Sequence, residues 1–293
     1  SQRVAALWKS QYGQDVDGVI GIDPVFLQYL LGLVGNVSLP DGTVVDGTNA
    51  AKVLMHDVYW NYPVEESDGI FASVASAAFD KILGGIGDVD VTKLVSAVER
   101  GAEEGRLIAW MRNDDEQNAI KETGIDASLP DPDDPSADPV AGVYFNNLSF
   151  SKLDWYLNAD TRIGQGVKNG DGTCSYRITV TLTNIMTQEE AGKLPDYVAA
   201  SAPDAARDDE RLNVSLFAPT GGNITDLTVG GTQFGLGAAT WHGIPFYSGT
   251  VDLHAGETTT ITYTLTTSAE AGDKPLTLRQ TPTCQAARDS ASA

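Results

Sequence analysis

Two aspartates near the start of the chain have the residue type and spacing for ion binding. Asp17 and Asp23 bracket the apolar run Gly18–Ile22, so their carboxylates could hold a metal ion, or help to form an anion site, at the ends of a short strand. Asp23 is followed by Pro24, and Asp-Pro is typical of a helix start because the carboxylate accepts from free amides and proline fits the first helical position. We therefore expect Asp23 to cap a helix, and a metal or anion site at Asp17 and Asp23 is the alternative.

The histidines and the remaining acidic clusters do not follow a known ligand spacing. His56 has no second histidine four residues on, and His242 and His254 lie near strand ends without a cysteine or carboxylate motif. The aspartates between Asp131 and Asp138 match no calcium loop and favour a solvated linker. The sequence also contains no nucleophile elbow, phosphate loop or dinucleotide fingerprint, so we predict no cofactor and no metal.

The segment from Asn147 to Leu157 combines polar and aromatic residues after the proline-rich stretch that divides the chain. Lys152 and Asp154 would lie on one side of a helical turn, so an exposed functional pair is one interpretation. The segment is too apolar to lie in water, however, which favours a clamp between two domains. The predicted clamp residues are Asn147, Lys152, Asp154, Trp155 and Tyr156.

Cys174 and Cys284 are the two cysteines of the chain, and both lie beside turn residues. A pair without a CxxC motif or a nearby histidine favours one structural disulfide over a metal or redox site, and two buried thiols are the alternative. A disulfide would favour an extracytoplasmic location.

The charge of the chain limits its partners. It has 19 basic and 40 acidic side chains, for a net charge of −21. The negative electrostatic potential of such a chain repels phosphate backbones and anionic headgroups, so we expect no nucleic-acid partner. No run of 18 apolar residues is present, so we expect no direct membrane span in this chain.

An acidic, proline-rich seam at Pro130–Pro139 separates two kinds of sequence pattern. Residues 1–139 show helical periodicity around two short strand candidates, which predicts a helix-rich α/β (α+β) domain. Two strands do not make a convincing sheet, so we expect this domain to be incomplete. Residues 140–293 show alternating strands punctuated by turns, which predicts an antiparallel, Ig-like β-sandwich carrying the disulfide.

Two segments carry a resemblance to a known family, namely Val16-Asp-Gly-Val-Ile-Gly-Ile-Asp-Pro-Val-Phe-Leu-Gln28 and Asn146-Asn-Leu-Ser-Phe-Ser-Lys-Leu-Asp-Trp-Tyr-Leu157. They resemble the actinobacterial domain-of-unknown-function 4012 (DUF4012) family, with weaker matches at Asp57–Tyr59, Leu194–Val198 and Asp252–Thr258. The resemblance implies an extracellular protein anchored by a membrane span, here through a segment absent from this chain. It implies no assigned activity.

The first segment is also loosely similar to LytR-CpsA-Psr enzymes, which transfer glycopolymers from polyprenyl pyrophosphate carriers. Their chemistry uses clustered arginines and aspartates, whereas the arginines of the first half, Arg3, Arg100, Arg106 and Arg112, are scattered in sequence. We therefore expect a non-enzymatic, extracytoplasmic cell-envelope module with an interaction or scaffold role, whose partners are cell-wall glycopolymer or envelope proteins. The alternative is a glycopolymer phosphotransferase relative with part of its catalytic region missing.

Overall fold

The computed structural model describes residues 2–39, 41–128, 130–233, 237–284 and 290–291. The chain is a mixed α/β protein with open sheets, and it divides into two compact units, Ser1–Leu129 and Pro130–Ala293. No helix among the described residues is long and apolar enough to cross a membrane.

The first unit consists of helices and two small antiparallel sheets. In chain order its elements are α1 (Gln2–Tyr12), β1 (Gly18–Ile22), α2 (Pro24–Val34), β2 (Val37–Ser38), β3 (Val44–Val45), α3 (Ala50–Lys52), α4 (Val58–Asn61), α5 (Val64–Gly85), α6 (Val91–Glu103), β4 (Leu107–Met111) and α7 (Asp114–Glu122). A π-helical turn, Val53–Asp57, joins α3 to α4. β1 pairs with β4 and β2 pairs with β3, both antiparallel.

The core of the first unit forms where α2 packs against α3 and α5. α2 is apolar on most faces and buries Val25, Phe26 and Leu31. Close packing requires glycine at one point, because a Cβ atom at Gly101 of α6 would lie 2.3 Å from the ring of Phe26. Glycine therefore sets how closely α6 approaches α2.

The second unit consists of strands with two short helical segments. Its elements are β5 (Val140–Asn147), a 3₁₀ turn (Leu153–Tyr156), β6 (Leu157–Ile163), β7 (Val167–Lys168), β8 (Cys174–Asn184), α8 (Gln188–Ala191), β9 (Glu210–Phe217), β10 (Asn223–Val229), β11 (Thr232–Gln233), β12 (Gly237–Trp241), β13 (Ile244–Leu253), β14 (Thr258–Thr266), β15 (Thr277–Gln280) and β16 (Ser290–Ala291).

These strands form two sheets that share one apolar core. Within the described residues, one sheet has the order β11-β10-β14-β8-β6-β16 with β7 beside β8, and the other has the order β12-β13-β9-β5-β15. Alternation places Ile178, Val180 and Leu182 of β8 in the same core as Leu212 and Val214 of β9. The prediction of a purely antiparallel arrangement is wrong at the sheet edges, because β15 pairs parallel to β5 and β16 pairs parallel to β6.

The proline-rich seam, residues 130–139, forms hydrogen bonds with the strand-rich unit. The carbonyl of Asp131 accepts from the Thr220 hydroxyl at 3.0 Å, and the carbonyl of Ser136 accepts from the Lys274 ammonium at 2.6 Å. Residues 130–139 therefore form an ordered edge of this unit where we expected a solvated linker.

Candidate functional site

Asp23 has two roles in the first unit, and the sequence predicted one of them. Its carboxylate caps α2 by accepting from the Phe26 amide at 2.7 Å, which confirms the predicted helix start. Its other oxygen accepts from Nη1 of Arg106, also at 2.7 Å, and the Arg106 side chain is only 4% exposed. Because Arg106 directly precedes β4, the pairing of β1 with β4 brings these two residues together across 83 positions of sequence.

Glu104 extends this ion pair into a network that we call the Asp23–Arg106 cluster (Asp23, Tyr29, Arg100, Glu104 and Arg106). Glu104 accepts from Nε of both arginines and from the Tyr29 hydroxyl, and the Arg100 guanidinium lies 4.2 Å from the centre of the Tyr29 ring. Burial disfavours ionisation of Glu104, but these hydrogen bonds outweigh it and hold its pKa below the usual value. Both arginines are therefore neutralised within the chain.

Asp17 does not join this cluster. It is exposed and lies before β1, whereas Asp23 follows β1, so the two residues are about 20 Å apart at the rise of an extended strand. One ion cannot contact both carboxylates at that distance, so the structure does not form the metal or anion site considered for Asp17 and Asp23 together.

The predicted clamp residues occupy the start of the second unit. Tyr156 and Leu157 are buried, as expected, whereas Trp155 is half-buried. Asn147 donates from Nδ2 to Ser151 Oγ and to Asp154 Oδ2, both at 3.1 Å, and Lys152 lies 5.7 Å from the centre of the Tyr197 ring. These contacts lie within the strand-rich unit, and the clamp between domains stays a prediction.

Half-buried Asp154 lies near a buried carboxyl that sequence reasoning missed. Glu210, the first residue of β9, is fully buried, and neither of its carboxyl oxygens has a hydrogen-bond partner. Burial raises the pKa of Glu210 well above its ordinary value, and the neighbouring Asp154 raises it further. Burial also raises the pKa of Asp154, against the hydrogen bond from Asn147. The pair therefore favours a protonated form.

His254 lies beside two carboxylates, although no sequence motif indicates this. It directly follows β13, and β13 pairs with β9 so that Leu253 lies opposite Glu210. This register brings His254 to Asp208 and Asp209, which precede β9. Among the described residues, these three side chains form one group with metal-ligand atoms within 4.8 Å of one another. The strand register, and no local motif, creates the group.

The structure does not show the predicted disulfide: Cys174 and Cys284 are both described, and no bond joins them. Cys174 begins β8, beside the end of β14, where Ser175 lies opposite Thr266. Cys284 lies four residues after the end of β15, and the amide of Thr281 donates to the carbonyl of Val143 at 3.0 Å.

Comparison with known families finds one family model that matches the N-terminal segment. Residues 1–59 match the family described as "Protein of unknown function (DUF4012)". This match covers β1, α2 and Asp23, the capping residue of the Asp23–Arg106 cluster. No characterised protein matches the chain in sequence.

Solved structures resemble parts of the chain only distantly. A Legionella pneumophila protein named for nutrient binding is 11% identical, with 45% of each chain covered and a TM-score of 0.26. An M1 zinc metallopeptidase variant from Deinococcus radiodurans, bound to a Tyr-Ser-Ala substrate, is 10% identical, with 38% of this chain and 20% of that chain covered and a TM-score of 0.20. The chain thus spans less than half the length of either protein, and neither likeness assigns a function.

Proposed function

We propose that this chain is a non-enzymatic interaction module of the cell envelope that binds an envelope protein through an apolar face of α1. The carrying observation is a stripe of four large side chains, Val4, Leu7, Trp8 and Tyr12, which are between 43% and 67% exposed. Their spacing places them on one face of the helix, and the rings of Trp8 and Tyr12 lie 4.3 Å apart. Contiguous exposed apolar surface of this kind marks interaction sites.

A second helix of the same unit supports this proposal. Val91, Val95 and Val98 follow a helical spacing along α6 and are between 37% and 71% exposed. A helix normally buries its apolar stripe in a core, so two exposed stripes in one unit favour a partner that covers them.

The charge and chemistry of these stripes favour a protein over a wall polymer. Apolar side chains gain free energy mainly by contact with other apolar groups, at roughly 25 cal/mol for each Å² removed from water. The net charge of −21 opposes binding of an anionic polymer. An envelope protein with an apolar surface therefore fits better than a glycopolymer.

Location and fold complete the proposal. The family resemblance supports an extracytoplasmic position, with anchoring through a segment outside this chain. The common core of the two sheets supports an Ig-like sandwich as the second of two domains.

The alternative, a glycopolymer phosphotransferase, has one observation in its favour, the joining of Arg100 and Arg106 with Asp23 through Glu104 in one cluster. Glu104 and Asp23 already neutralise these arginines, and Arg106 is almost fully buried. A cation committed in this way does not stabilise charge on a substrate phosphate. We expect no magnesium-dependent pyrophosphate hydrolysis above background, and turnover that Asp23→Ala abolishes would make the enzyme the better assignment.

Site-specific photo-crosslinking tests the proposed face of α1. A photoreactive residue at Leu7, within the stripe, is compared with one at Ala6, which is exposed on the opposite side of the helix. In cells that produce the complete protein, we expect adducts with one envelope protein from position 7 and background from position 6. Equal yields at both positions, or adducts only between two copies of this protein, would overturn the proposal.

A further inference from the structure

His254, Asp208 and Asp209 are held together by the backbone of two neighbouring strands. β9 and β13 pair over eight residues, and this ladder ends with Glu210 opposite Leu253. Asp208 and Asp209 directly precede β9, and His254 directly follows β13. All three residues therefore lie at the Glu210–Leu253 end of the ladder. Sites supported by such a ladder keep their ligands in fixed relative positions.

The backbone orients both carboxylates. The amide of Ala255 donates to Asp208 Oδ2 at 3.0 Å, and the amide of Ala206 donates to Asp209 Oδ2 at 2.7 Å. One oxygen of each carboxylate is thereby fixed, and Oδ1 of each remains turned toward His254. Metal ligands in proteins are commonly oriented by hydrogen bonds of this kind.

The free oxygens lie at distances suited to a small cation. Nδ1 of His254 is 2.7 Å from Asp209 Oδ1 and 3.8 Å from Asp208 Oδ1. Ligand atoms bound at about 2.0–2.1 Å in tetrahedral or octahedral geometry lie roughly 2.9–3.4 Å apart. One of the two observed separations lies just below this range and the other just above it. Shifts of about half an ångström in these side chains would bring the three ligand atoms to the separations that a bound ion requires.

A second, independent observation points to a ligand. The Asp209 side chain is only 7% exposed, and its Oδ1 accepts no hydrogen bond, even though it lies 2.7 Å from His254 Nδ1. The short approach therefore lacks hydrogen-bond alignment, and a buried carboxylate oxygen without a donor is costly. A cation between the two atoms would satisfy that oxygen. His254 is 57% exposed, which leaves access from solvent and room for water ligands.

We propose that Asp208, Asp209 and His254 bind a divalent transition-metal ion of the Zn²⁺ class, with solvent completing the coordination. One imidazole nitrogen and two carboxylate oxygens suit this class, whereas Ca²⁺ prefers six to eight oxygen ligands. The high negative charge of the chain also attracts cations. This site is independent of the protein-binding face of α1.

Metal titration of the full chain tests the site. Protein freed of metal with a chelator is titrated with ZnCl₂ at pH 7 by calorimetry, and we expect one ion per chain. His254→Gln and Asp209→Asn should weaken binding at least about tenfold, because each removes a ligand. His242→Gln is the matched control, since His242 is exposed and lies outside the group of three. Millimolar Ca²⁺ should not compete.

Three outcomes would overturn the proposal: no stoichiometric Zn²⁺ binding, unchanged affinity in His254→Gln, or an equal loss in His242→Gln. Circular dichroism melts of each variant establish that it is folded. If Asp209→Asn does not fold, Asp208→Asn replaces it, because Asp208 is 23% exposed and less buried than Asp209. In that case, unchanged affinity in both His254→Gln and Asp208→Asn refutes the site.

Discussion

Asp23 gives the sharpest test of the first unit because it both caps α2 and pairs with Arg106. Asp23→Asn keeps a side-chain acceptor for the Phe26 amide but removes the negative charge. Asp23→Ala removes both functions. Asp90→Ala is the matched control, because Asp90 caps α6 through the Thr92 amide at 2.9 Å and, among the described residues, forms no ion pair with an arginine.

The structure sets the expected size of each effect. Loss of a helix cap costs about 1 kcal/mol of unfolding free energy, which is our expectation for Asp90→Ala. Removing one partner of a buried ion pair costs roughly 3–5 kcal/mol, but Glu104 remains bonded to Arg106 and Asp23 is 29% exposed, so we expect about 2 kcal/mol for Asp23→Asn. Asp23→Ala should then lose about 3 kcal/mol, the sum of the cap and charge effects.

Urea denaturation followed by circular dichroism at the helical band measures these differences, since most of the helix lies in the first unit. The order of unfolding free energies should be parent, Asp90→Ala, Asp23→Asn and Asp23→Ala, at a constant m-value. If Asp23→Asn is as stable as the parent, the charge of Asp23 does not stabilise Arg106. If Asp23→Ala loses no more than Asp90→Ala, Asp23 acts only as a cap.

Three further predictions concern other parts of the chain. Asp154 has a raised pKa in the folded state, so the folded protein binds the Asp154 proton more tightly than the unfolded chain does. The stability that this proton contributes is fully present below the unfolded-state pKa of about 4, and it is lost as the pH rises through the folded-state pKa. Asp154→Asn should therefore flatten the fall in melting temperature between pH 4 and 8, and parallel profiles for variant and parent would contradict this. Thiol titration of the unfolded, unreduced protein should find two thiols, because no bond joins Cys174 and Cys284, and a value near zero would contradict this. Gly101→Ala should lower the free energy of unfolding by about 1–3 kcal/mol, because the new methyl group overpacks against Phe26. Gly69→Ala, at an open position in α5, should raise it by about 0.5–1 kcal/mol. Equal stabilities of the two variants would show that Gly101 is not closely packed.

Much of the local structure was predictable because its signals lie within a few residues. Asp23-Pro24 predicted the start of α2, and the alternation at Tyr176–Thr183 predicted most of β8. The helical period from Asp68 to Leu83 predicted the centre of α5, although this helix runs from Val64 to Gly85. Such patterns reflect the side-chain periodicity of a single helix or strand, so they can be recognised in the sequence without knowledge of any tertiary contact.

The candidate sites were less predictable because their residues are far apart in sequence. Asp209 and His254 are 45 positions apart and meet only through the register of β9 and β13. Glu210 belongs to a charged run that favours an exposed loop, yet it begins a strand and faces the core. Arg106 looked isolated, and the pairing of β1 with β4 brings it to Asp23.

The sequence alone determined the charge, the helix-rich and strand-rich halves and the cap at Asp23. Only the tertiary structure decided that the seam joins the strand-rich unit, that two edge strands are parallel, that no bond joins the two cysteines and that His254 faces two carboxylates. The physical reason is that helix and strand patterns depend on local backbone geometry, whereas pairing partners depend on which distant segments bury the most apolar surface together. A shift of one residue in register would reverse the facing of a whole strand, and no local pattern encodes that choice of partner.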